Sequence, residues 1–341
     1  MKKFFLMSVA VSVLFCGGEV FAAVDGDSDK AFAKGLETIC EDAAKAHVYF
    51  LASDELQGRE AGSDGDRVAM QYIVANLRMS GVKPLDGNYV HPSEAVRRAR
   101  VRNARFQTSP DSVDVIKADG ACQLLPLNNV LGFVEGRNKD EYVIIGAHYD
   151  HEGMDELLCG DRIYNGADDN ASGVSALLQI AKAFRESGVQ PERNVIFAFW
   201  DGEEKGLLGS SAFTYRFKDM DKVKGYINFD MIGRTTYNKP ETHVVFFYSA
   251  ACPDFKDWVD SSVKELRLNL VPDTRATDKT LGGSDNISFQ RFDVPIMWYH
   301  TDGHEDYNRP TDTADKINYG KLVDITRSAY YCLWRLANEK F

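Results

Sequence analysis

Apolar residues along this chain fall into two alternating patterns. Short stretches dominated by β-branched and aromatic residues cover Asn129 to Val134, Val143 to Ala147, Val195 to Trp200, Lys224 to Met231, His243 to Tyr248 and Val294 to Tyr299. These stretches predict strands, and the continuous apolar run Val195 to Trp200 predicts one covered on both faces. Between them the apolar positions return at helical spacing. Ala176, Leu177, Ile180, Ala181 and Phe184 predict a helix over Ser172 to Ser187, stopped by Gly188. The same period predicts a helix over Asp29 to Ala52, with Phe32, Leu36, Ile39, Ala43 and Ala46 on one face. It predicts others over Asp66 to Met79, Pro253 to Leu266 and Asn318 to Asn338. Strands alternating with helices imply an α/β fold, a three-layer sandwich around a central, mostly parallel mixed sheet. One domain is expected over residues 23–341. Residues 85–127 carry no readable period and stand as an insertion, with a basic run that includes Arg97, Arg98, Arg100, Arg102 and Arg105.

The polar residues at the ends of these strands change the picture from fold to chemistry. In open α/β sheets the loops at the carboxyl ends of strands build the site. His148 and Asp150 follow one apolar run; Asp201, Glu203 and Glu204 follow another. Asp230 closes the stretch Tyr226-Ile227-Asn228-Phe229, and Asp168-Asp169 sit in a Gly/Asn-rich turn that opens a helix. Capping a helix dipole needs only one acid, so the Asp pair exceeds that role. Glu203 and Glu204 repel each other unless a cation or a shared proton intervenes. A metal held by one, with the other acting as a base on water, resolves the conflict. Neutral imidazole and carboxylates suit zinc. His148 is the best single ligand, and Asp150 is placed to orient its ring.

Charge and cysteine content narrow the class. The 341 residues carry a formal net charge of -11, against the basic footprint of a nucleic-acid binder. Lys2 and Lys3, the apolar run Phe4 to Phe15 and the small-residue end at Ala22 predict a signal peptide over residues 1–22 and export to a periplasmic or extracellular space. Bulky Phe15 before Cys16 disfavours lipid anchoring there, so no stable membrane insertion is expected after cleavage. Without Cys16 an odd five cysteines remain, with no C-x-x-C, which argues against a zinc-thiolate site. Cys122 with Cys159 is the first disulfide to test.

The segments GAHYDH, YNGADDNASG, WDGEEKGLLGS, NFDMIG, GGSDNISF and DYNRPTDT, together with ASDELQGREAGSDGDRVAMQYI, resemble the zinc exopeptidases of the bacterial leucyl aminopeptidase, aminopeptidase Y and glutamate carboxypeptidase II family. The likeness covers nearly all of the chain except residues 85–127. It implies the zinc-dependent exopeptidase (phosphorylase/hydrolase-like) fold, a peptide substrate, one or two zinc ions and aminopeptidase activity. Carried over position by position, it implies that His148 and Asp230 hold one zinc, Glu204 the other, and that Asp168 bridges them. Glu203 becomes the general base and Tyr307 a donor to the developing oxyanion. Asp150, Asp169 and Asp312 support the ligands from behind, and the Asp168–Asp169 peptide is expected to be cis. The chain departs from the family at Asn308, which stands where a ligand histidine is expected, and at Asn286. The second zinc is then bound weakly, or with Asn308 or water filling in, or by His304 or His300 as a replacement ligand. Two rival readings remain at this stage: a peptide- or metal-binding homologue weakened in catalysis by Asn308, and a glutaminyl cyclase with one zinc.

Overall fold

The structure, a computed structural model, describes residues 26–341. The signal peptide expected over residues 1–22 lies outside them. The chain opens with α1 (Gly26–Leu36), α2 (Glu41–Leu51) and α3 (Asp64–Met79). The helix predicted over Asp29 to Ala52 is therefore two helices. Tertiary contacts break it: the Cys40 N–H donates to Oε1 of Gln179 on a distant helix, and Ile39 is fully buried in the break.

Residues 85–127 are more ordered than their sequence pattern suggests. After the two-residue β1 (Lys83–Pro84) come β2 (Val90–Arg98), α4 (Pro110–Ala118) and the first half of β3 (Cys122–Val134). Here β2 runs antiparallel to β3 from Val90 opposite Val130 to Arg98 opposite Cys122. Cys122 and Cys159 are free thiols, so the disulfide expected between them does not form.

The rest of the chain alternates between strand and helix, with α6, β8 and α8 added to the elements predicted. It runs through β4 (Asn138–His148), α5 (Gly173–Ser187), β5 (Arg193–Trp200), α6 (Leu208–Arg216), β6 (Val223–Phe229) and β7 (His243–Ser249). Then follow α7 (Asp254–Glu265), β8 (Val271–Thr277), the short α8 (Asn286–Gln290), β9 (Ile296–His300) and α9 (Tyr319–Asn338). Two of these had weak signals. The α6 helix is buried almost all round from Leu208 to Thr214, which erases an amphipathic period. The β8 strand, VPDTRAT, lies at the end of the strand order, where Pro and charge are tolerated.

Among the described residues the sheet has nine strands in the order β1-β3-β5-β4-β6-β9-β7-β8, with β2 added to β3. It is evenly mixed rather than mostly parallel. The pairings β4·β5, β4·β6, β6·β9 and β7·β8 are parallel. Those of β1 and β2 with β3, β3·β5 and β7·β9 are antiparallel. The central four, β5-β4-β6-β9, all point the same way. Side chains alternate across them. Val143, Ile145, Val195, Phe197, Ile227 and Phe229 face the layer that holds α5 and α9. Ile144, Ile196, Ala198, Trp200, Tyr226 and Trp298 face Phe213 of α6 and Phe289 of α8. Burial on both faces explains the apolar run of β5, Val195 to Trp200, and the concentration of apolar residues in its neighbours. The chain leaves β4, forms β5 on one side and then crosses to form β6 on the other. That makes β4 the point where strand order reverses and a crevice opens at the carboxyl ends.

Candidate metal centre

His148 is the last residue of β4 and is 1% exposed. Its Nε2 lies 3.2 Å from Asp169 Oδ1 and 3.6 Å from Asp230 Oδ1. Asp230 is the first residue beyond β6, and Asp169 lies in the irregular turn that leads into α5. The other oxygen of Asp169, Oδ2, is 3.9 Å from Nδ1 of His151, and that nitrogen is 2.7 Å from Oε1 of Glu204. Two three-residue sets with metal-compatible spacing result: His148, Asp169 and Asp230, and His151, Asp169 and Glu204. Asp169 belongs to both and presents one oxygen to each.

The turn 166–170 places the acid pair one residue away from expectation. Asp169, not Asp168, faces both sets. Gly166 is left-handed at φ 60° and Asp169 itself is extended at φ -102°, ψ 95°, so neighbouring side chains point to opposite sides. The Asp168 carboxylate turns away. Its Oδ1 accepts from the Gly233 N–H at 2.6 Å, and its Oδ2 lies 3.2 Å from Nε2 of His304. The cis peptide is likewise Asp169–Asn170, one bond later than expected. His304 thus lies beside Asp168 without a hydrogen bond to it, and His300 faces the Asp230 carbonyl oxygen through Nδ1 at 2.5 Å. Asn308 is exposed and has φ 51°.

Asp150 and Asp312 support the site differently from expectation. The Asp150 carboxylate accepts from the backbone N–H groups of Glu203 and Glu204 at 3.0 and 3.3 Å, tying the loop after β4 to the loop after β5. Nδ1 of His148 faces the Asp150 backbone carbonyl at 3.2 Å, with the Asp150 carboxylate oxygen Oδ1 at 3.7 Å. Asp312 accepts from the N–H groups of Asp168 at 2.9 Å and Asp169 at 3.1 Å, and so fixes the acid turn rather than residue 308.

Two supporting residues had no role assigned from sequence. Arg59 in LQGREAG is 1% exposed and donates to four backbone carbonyls: Leu51 and Asn165 at 2.6 Å, Tyr149 at 2.8 Å and Gly166 at 3.1 Å. It thus pins both ligand-bearing loops. Its burial lowers its pKa while Asp169, Asp150, Asp312 and Glu204 raise it. Replacing it by Met strands several buried carbonyls and removes the cation beneath the acids. R59M is expected to lose about 3–5 kcal/mol of stability, read from the urea midpoint at constant m-value. His151 is the other. A second histidine within GAHYDH was the available signal.

The electrostatics call for a cation. Burial pushes the carboxyls of Glu203 and Glu204 well above the ordinary range, and neighbouring acids add to both shifts. Burial opposes the charged form of His148, but Glu203, Asp169 and Asp230 raise its pKa well above the usual value. Asp285, in GGSDNISF, is pushed up to about 7 by burial and contributes to the field at Glu203. Nε2 of His148 is buried close to two carboxylates yet has no hydrogen-bond partner. Three acids and an unpaired imidazole nitrogen converging in a buried space fit a divalent metal, which would reverse these shifts. In tetrahedral coordination at about 2.0–2.1 Å, ligand atoms lie about 3.3 Å apart, within the range seen in both sets.

Tyr307 is 45% exposed. Burial raises its phenol pKa, and Asp169, Glu204, Asp230 and Glu203 raise it further, which places the hydroxyl within the field of the acid cluster.

A sheet with paired metal sets at the carboxyl ends of its parallel strands defines a metal-dependent α/β protein. Residues 129–333, more than half of the chain, match peptidase family M28, and the chain belongs to that family. It is 25% identical over 230 residues to leupeptin-inactivating enzyme 1 of Streptomyces exfoliatus, covering 61% of this chain and 48% of that one. It is 33% identical over 192 residues to a glutamate carboxypeptidase 2 homolog of Caenorhabditis briggsae, covering 50% and 24%. The chain thus spans about half or less of the length of these curated relatives. Its fold is that of an aminopeptidase from Aneurinibacillus sp. strain AM-1, with TM-score 0.64 at 17% identity over 91% of this chain and 97% of that one. It is also that of Porphyromonas gingivalis glutaminyl cyclase, with TM-score 0.61 at 16% identity over 86% and 98%.

Proposed function

We propose that the chain is an exported, zinc-dependent exopeptidase that removes N-terminal residues from peptides. The observation that carries this reading is Asp169 offering one oxygen to each of two ligand sets, with Glu203 beside them but in neither. His148, Asp169 and Asp230 would hold one zinc; Asp169 and Glu204 would hold a second. When bound, zinc supplies Lewis-acid polarisation of a carbonyl and acidifies water. Glu203 takes the proton of the attacking water on its carboxylate and delivers it to the leaving amine nitrogen. The Asp150 carboxylate holds the Glu203 backbone in place for both transfers. Tyr307 donates its hydroxyl to the carbonyl oxygen as negative charge develops there. The free amino group of the substrate is received by the surplus carboxylates of the cluster.

Two ligand sets on one carboxylate favour this reading over a single-zinc cyclase, and retention of a base between them favours it over a binding protein. Export rests on the sequence of residues 1–22. Among the described residues no helix is long and apolar enough to cross a membrane. The test is zinc-loaded protein assayed on a panel of aminoacyl chromogenic substrates and dipeptides. Release of the N-terminal residue is expected. No hydrolysis of any of them, with zinc bound, sinks the proposal, and cyclisation of an N-terminal glutamine would replace it.

A further inference from the structure

Asn308 leaves the second zinc of the expected pair short of a histidine, and neither upstream histidine fills the gap. Nε2 of His304 lies beside Asp168 Oδ2, outside both ligand sets, and Nδ1 of His300 faces the Asp230 carbonyl. The structure places a different imidazole there. We propose that His151, three residues beyond His148 on the same loop, is this chain's own ligand for the second zinc, replacing a histidine from the loop after β9. This rests on the metal-hydrolase reading above.

Three observations carry it. First, Nδ1 of His151 converges with Asp169 Oδ2 and Glu204 Oε1, at 3.9 and 2.7 Å, the two other atoms that a second ion would need. A hydrogen bond to Glu204 alone would leave the approach to the bridging carboxylate unexplained. Second, the ring is held in advance. The His151 N–H donates to the Arg59 carbonyl at 3.0 Å, and residues Glu60 and His151 form a bridge. A Cβ on Gly166 would stand 2.5 Å from Cδ2 of His151, so the acid turn closes directly against the ring, and Gly166 itself needs its left-handed φ. Third, the side chain is fully buried and its polar contacts run only through Nδ1, to the Glu204 and Asp169 carboxylates of the second set, while Nε2 has no hydrogen-bond partner. The consequence is a shift of the second ligand from the exposed rim, where Asn308 lies, to the floor of the crevice. Both histidine ligands then come from one loop, clamped by Arg59, and the rim at residue 308 is left free of metal-binding duty.

The test uses full-length protein and zinc alone, with competition against a chelator and X-ray absorption of the loaded protein. Wild type is expected to bind two zinc ions, with imidazole scattering averaging one per zinc. H151Q is expected to keep one zinc and to lose the second or bind it at least about 100-fold more weakly, while folding as judged by circular dichroism. H151A serves if the glutamine variant misfolds. N308A and H304A should leave both stoichiometry and imidazole count unchanged. Two zincs with unchanged affinity in H151Q and H151A overturn the proposal. So does a wild-type count of half an imidazole per zinc, which would reduce His151 to a residue that orients Glu204. Those outcomes leave the metal-hydrolase reading intact, whereas wild-type protein that binds no zinc removes both.

Discussion

E203Q is expected to lower kcat by about 10²–10⁴-fold while leaving zinc content unchanged. Glu203 follows β5 directly and lies among Glu204, Asp230 and Asp285, yet it belongs to neither ligand set. Its carboxyl is therefore spare for proton transfer. Glutamine keeps the shape and can still donate a hydrogen bond, but it cannot accept a proton from water at neutral pH. An interaction used only in the transition state should appear in kcat and in kcat/KM alike, with KM little changed. If E203Q retained wild-type turnover, another group would be the base. If it lost zinc as well, Glu203 would be a ligand rather than a proton carrier.

D169N and D168N are expected to separate two adjacent acids with different tasks. Asp169 gives one oxygen to each ligand set, so D169N should weaken both zinc ions by more than about 100-fold, beyond the 10–100-fold typical of a supporting residue. D168N keeps both sets intact. It weakens the contact with His304, and an amide in place of the carboxylate still accepts from the Gly233 N–H. Its zinc stoichiometry should remain that of wild type, with a loss of stability of about 1–3 kcal/mol from the buried hydrogen bonds. Metal analysis after dialysis reads the first effect and urea unfolding the second. The opposite pattern, zinc lost in D168N and kept in D169N, would return the bridging role to Asp168.

Much of the architecture was legible because burial leaves a one-dimensional trace. The strands β4, β5, β6 and β9 are covered on both faces and carry apolar runs rich in β-branched and aromatic residues; α5 and α9 show a clean helical period. Elements without that trace were missed: α6, buried on all sides; β8, at the sheet's end; and the β2–α4 region, whose pairing partner lies about thirty residues away. The even mixture of parallel and antiparallel pairings could not be read either. Strand direction depends on which strands become neighbours, and β3 and β7 join the parallel core from outside it.

The site divides along the same line. Sequence alone determined which loops carry the chemistry, because acids and a histidine immediately after apolar strands must gather at the carboxyl ends of the sheet. It also determined that His148, Glu203, Glu204 and Asp230 stand there, and that residue 308 departs from the pattern. Only the tertiary structure decided which of two neighbouring aspartates faces inward. That choice depends on the left-handed Gly166 and on the carboxylate of Asp312, more than 140 residues away, which grips the backbone of the turn. Only it brought His151 against Glu204, through the loops that Arg59 pins together. Spacing along a chain fixes the order of side chains, but their direction is set by backbone dihedrals and by partners distant in sequence.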